Sequence, residues 1–70
     1  MKDEKIEIAL DIVVDKIAEL QEQYVFLKDL DKSEKIKVKL DVLEEIKDQL
    51  YSGNLLIAEN VINKKEKGTL

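Results

Sequence analysis

Seventy residues, 44 % hydrophobic and 40 % charged, with no Pro, Cys or His, exclude a disulfide-stapled or zinc-held fold and point to amphipathic helices. The formal net charge of −4 is uneven, with residues 1–31 at −5 and residues 32–70 at +1, and no stretch approaches the roughly 20 apolar residues of a membrane span. A core of this size supplies only about 3–5 kcal/mol, so with the usual staples missing the expectation turns to association.

The first element is predicted as a helix over about residues 3–30. Ile6, Leu10, Val13, Ile17, Leu20, Tyr24 and Leu27 follow one another at alternating steps of four and three, the spacing of a helix packed along its length against another. Glu4, Glu7, Asp11, Asp15, Glu19 and Glu22 cluster on the opposite face. Asp3 and Glu4 suit the positive end of the helix dipole. About 28 residues would extend about 42 Å, more than a compact small chain needs, so part of the length is expected to meet a second chain.

The break is expected at residues 30–33, where Asp31 and Glu34 can form a reciprocal capping box and Ser33 is the competing cap. The second helix then covers about 32–51 and buries Ile36, Leu40, Leu43, Ile46, Leu50 and Tyr51. Strict alternation over 36–42 also suits a strand, but the pattern does not persist into 43–50, and length favours the helix. Ser52-Gly53-Asn54 ends it, with Gly53 free to turn left-handed and Asn54 placed to cap a third helix over about 55–67. That helix presents Leu55, Ile57, Ala58, Val61 and Ile62 on one broad face, carries Lys64, Lys65 and Lys67 at its negative end, and stops at Gly68. The prediction is one all-α domain, a helical hairpin plus a shorter third helix.

The seam from Ile6 to Leu27 is read as the self-association surface of a homo-oligomer, with a dimer favoured. Ile8, Ile12, Val14, Val25 and Phe26 on the first helix, with Val38 and Val42 on the second, are more apolar surface than two short helices can cover. Glu7, Asp11, Asp15 and Glu19 recur every four residues, and each like-charged pair costs an isolated helix about 0.2–0.5 kcal/mol. A stripe that opposes its own helix suits docking on a basic protein surface, although a solvated face that keeps an oligomer soluble explains it too. Lys32, Lys35, Lys37 and Lys39 form a basic cluster, read as neutralising the acids of a neighbouring helix. Tyr24 and Tyr51 are expected to pack in the core, with their hydroxyls at its edge.

Chemistry has little to work with. Without His or Cys, and with Ser33, Ser52 and Thr69 all at helix ends, no catalytic residue, cofactor, metal or small-molecule substrate is expected. The 12 basic residues are all Lys, which removes the forked donor suited to phosphate and guanine. Lys without Arg, beside plentiful Ile, Glu and Asn, resembles the output of AT-rich genomes such as those of many Gram-positive bacteria and their phages. The absence of Cys suits a reducing compartment, so a cytoplasmic location is expected. The resulting reading is a small acidic regulator or inhibitor that binds a larger protein. The alternative is a self-assembling scaffold module, and a third reading is a helical dimer similar to Rop, whose paired hairpins bind RNA.

Overall fold

In the computed structural model, which describes residues 3–70, Asp3 begins the first helix: its Oδ1 accepts from the Lys5 backbone N–H at 2.8 Å. Helix α1 then spans Glu4–Phe26, α2 spans Leu30–Tyr51 and α3 spans Leu55–Glu66. Together they form the expected all-α hairpin with a third, shorter helix, and the stretch 36–42 lies wholly within α2. The third helix folds back, packing mainly on α1 and only lightly on α2.

The first break falls earlier than the sequence pattern suggests. Helix α1 ends at Phe26 rather than near residue 30, because Leu27 turns to an extended conformation, with φ −78° and ψ 130°. Asp29, and neither Asp31 nor Ser33, is the N-cap of α2: its Oδ1 accepts from Asp31 N–H at 2.9 Å and from Lys32 N–H at 3.4 Å. Once Asp29 satisfies those orphan donors, Asp31 sits in the first turn, where its charge meets the positive helix end.

The second break follows its prediction. Gly53 adopts φ 88°, its N–H donates to Leu50 O at 3.0 Å, and Asn54 N–H donates to Gln49 O at 3.1 Å, the paired bonds of a Schellman motif. Asn54 then caps α3 by accepting from Ile57 N–H at 3.3 Å. The same motif closes α3: Gly68 takes φ 73°, with Gly68 N–H donating to Lys65 O and Thr69 N–H to Lys64 O.

The core joins Ala9, Val13, Ile17 and Leu20 of α1 to Ile36, Leu43 and Leu50 of α2 and to Ala58 and Val61 of α3. Ile6, Leu10, Leu40, Ile46, Ile57 and Ile62 are half-buried around it. Tyr51 does not join them. Leu50 takes the fully buried position, so the next residue projects about 100° further round the helix, and Tyr51 is 69 % exposed.

Candidate interaction surfaces

The seam divides between core and surface. Val13, Ile17 and Leu20 are buried within the single chain, Ile6, Leu10 and Leu27 are half-buried, and Tyr24 is 42 % exposed rather than enclosed. The hairpin thus uses the centre of the seam internally, against α2 and α3, and leaves only its outer positions with surface to offer. Ala9, outside the seam, is fully buried. Its short side chain suits close approach of a neighbouring helix, while its weak hydrophobicity hides it from a pattern built on large aliphatics.

All four acids of the stripe, Glu7, Asp11, Asp15 and Glu19, are exposed on the side of α1 away from the core. Exposed Ile8 and Val14 lie between them in sequence. Two ion pairs occur among the described residues. Lys5 Nζ meets Glu59 Oε1 at 3.1 Å, tying α1 to α3, and Lys16 Nζ meets Glu19 Oε1 at 3.6 Å within α1. The lysines of α2, Lys32, Lys35, Lys37 and Lys39, therefore do not neutralise the stripe within the chain: the acids lie across α1 from the face that α2 packs on. Glu7, Asp11 and Asp15 have no cationic partner within 4.0 Å among the described residues.

Large apolar side chains reach water at both ends of the hairpin. Around the α1–α2 turn, Val25 and Phe26 are each 76 % exposed and Leu30 is 80 % exposed. Around the α2–α3 turn, Tyr51 and Leu56 are exposed at 69 % and 76 %. Val25 and Phe26 belong to the surplus that the sequence points to, as do exposed Val38 and Val42. Leu30 and Leu56 could not be singled out in that way. Leu30 stands at the end of the expected first helix, whereas in the structure it opens α2.

The concave surfaces are open grooves. Among the described residues no group of three or more His, Cys, Asp or Glu is placed to hold a metal ion, no polar side chain is buried, and no helix is long and apolar enough to cross a membrane. The surface offers contact by shape, apolar area and charge, spread over α1 and the two turns. No protein-family model matches the chain, and comparison with curated proteins and with solved structures finds none similar to it.

Proposed function

We propose that this chain is a small, non-enzymatic protein–protein interaction module, a regulator or inhibitor that covers a site on a larger protein. The observation that carries the reading is the outer face of α1. There Glu7, Asp11 and Asp15 stand without a cationic partner among the described residues, and Ile8 and Val14 beside them are each 47 % exposed. A face that served solubility alone needs only the acids. Aliphatic side chains held in water among carboxylates suit a basic partner, to which charge steers the encounter and apolar contact adds affinity.

The test is affinity capture from lysate of the source organism with the wild type and with a variant carrying Asp11→Lys, Asp15→Lys and Glu19→Lys. Wild type is expected to retain a distinct protein at fixed stoichiometry, and the variant to lose it while keeping its helical circular dichroism. Equal capture by both removes the acids from the interface, and recovery of the chain's own oligomer alone removes the regulator reading.

The exposed cluster Val25, Phe26 and Leu30 favours a second reading, a self-assembling scaffold that pairs through the hairpin tip. Light scattering across a dilution series separates the two. A constant mass of 8.1 kDa sinks self-assembly, whereas a stable multiple supports it.

A further inference from the structure

Helix α3 has 12 residues against 23 in α1 and 22 in α2, so it covers about 18 Å of a hairpin about 34 Å long. Beyond its end the trough that seats Ala58 and Val61 continues as an open groove. Its apolar lining includes Leu20 of α1, with Val38, Val42, Leu43 and Ile46 of α2, and half-buried Leu70 lies in it after the turn at Gly68. Val38 and Val42 are 61 % and 50 % exposed.

The charge around this groove runs opposite to that of the chain. Lys16, Lys39 and Lys64, one from each helix, line it, and no Asp or Glu does, in a chain with 16 acids and 12 lysines. Lys16 is shared with Glu19 at 3.6 Å, whereas Lys39 and Lys64 have no carboxylate partner within 4.0 Å among the described residues. Of the α1 stripe, Glu19 reaches the rim through Lys16, whereas Glu7, Asp11 and Asp15 take no part in the lining.

We propose that this groove docks an amphipathic helix of a partner protein, its apolar stripe on Val38 and Val42 and its flanking carboxylates on Lys39 and Lys64. About 16 Å of the hairpin extends beyond α3, and Leu70 already fills part of the groove there, so the occupant packs beside Leu70 and prolongs the packing that α3 begins. Pairing this groove with itself in a second copy would bring lysines against lysines, and docking of a second copy through the acidic face of its α1 is the outcome that concentrating the chain alone tests. The site is separate from the outer face of α1, and the proposal does not depend on the function argued there.

The experiment titrates the full chain, with labelled valine and leucine methyls, against a helix-forming peptide of about 16 residues carrying Leu at i, i+3, i+4 and i+7 with Glu on both flanks. A matched peptide carrying Lys in place of Glu serves as the control. The expected result is saturable shifts of the Val38, Val42 and Leu70 methyls with the Glu peptide. Affinity should fall about tenfold in the exposed double variant Lys39→Glu, Lys64→Glu, and should weaken as salt rises.

Equal binding of the Lys peptide, unchanged affinity in the double variant, or shifts confined to other methyls would overturn the proposal. So would shifts of the same methyls on concentrating the chain alone, which would assign the groove to a second copy. Tighter occupation by dodecanoate than by the Glu peptide would assign it to an anionic amphiphile and overturn the proposal as well.

Discussion

The half of the hairpin that lies along α3 and the half that extends beyond it are built from the same two helices but enclose their side chains differently. Alongside α3, Ala9, Val13, Leu50 and Ala58 are all 0 % exposed and Val61 is 2 % exposed. Beyond it Leu20 and Ile36 keep 5 % and 9 %, Tyr24 42 %, and Phe26 and Leu30 76 % and 80 %. Two antiparallel helices bury a line of contact between them, but a third is needed to close the trough above that line. The overall dimensions are 43 × 23 × 15 Å, and α3, with 12 residues, is about half as long as the helices it packs on.

The largest expected effect tests that contrast directly. Leu50→Ala removes a fully buried side chain from the three-helix half and should cost about 3–5 kcal/mol, because neighbours on three helices cannot all close the cavity. Leu20→Ala faces the open groove, where water and the flanking side chains can fill the space, and should cost about 2 kcal/mol. Urea unfolding of both variants, with the slope checked for constancy, measures the difference. Equal losses would mean that the two halves are equally enclosed in solution, as they would be if a second chain covered the tip.

The joint at the tip gives the intermediate effect. Asp29→Ala removes the side chain that accepts from both Asp31 N–H and Lys32 N–H and should cost about 1 kcal/mol, whereas Asp31→Ala loses only a favourable charge in the first turn, about 0.3 kcal/mol. Thermal unfolding of the pair ranks them. The reverse order would restore Asp31 as the cap that its spacing to Glu34 suggests.

That cap shows where sequence pattern stops being informative. Periodicity marks three helices, and Ser52-Gly53-Asn54 marks its turn, because Gly at a left-handed position and Asn at a cap each have a local physical reason. The first turn has neither Gly nor Pro, and the apolar run Val25-Phe26-Leu27 carries the helical pattern through the true end of α1. With Asp29 and Asp31 both able to cap, the choice depends on where α1 stops. Of the surfaces, the acid stripe is legible because its residues share one helix. The lysine-lined groove is not, since Lys16, Lys39 and Lys64 meet only through the relative lengths and packing of three helices.

The smallest effect concerns the ion pair that ties the bundle end together. Lys5 and Glu59 meet at 3.1 Å with their side chains 58 % and 50 % exposed, so water screens most of their attraction and ordering two long side chains offsets part of the rest. A double-mutant cycle of Lys5→Ala and Glu59→Ala should return a coupling of at most about 0.5 kcal/mol, vanishing in high salt. The apolar contacts of Ala58 and Val61 would then be what holds α3 on the hairpin. A coupling several times larger that persists in salt would mean that charge fixes α3 in place. The end of the trough, and with it the groove beyond α3, would then move with ionic strength.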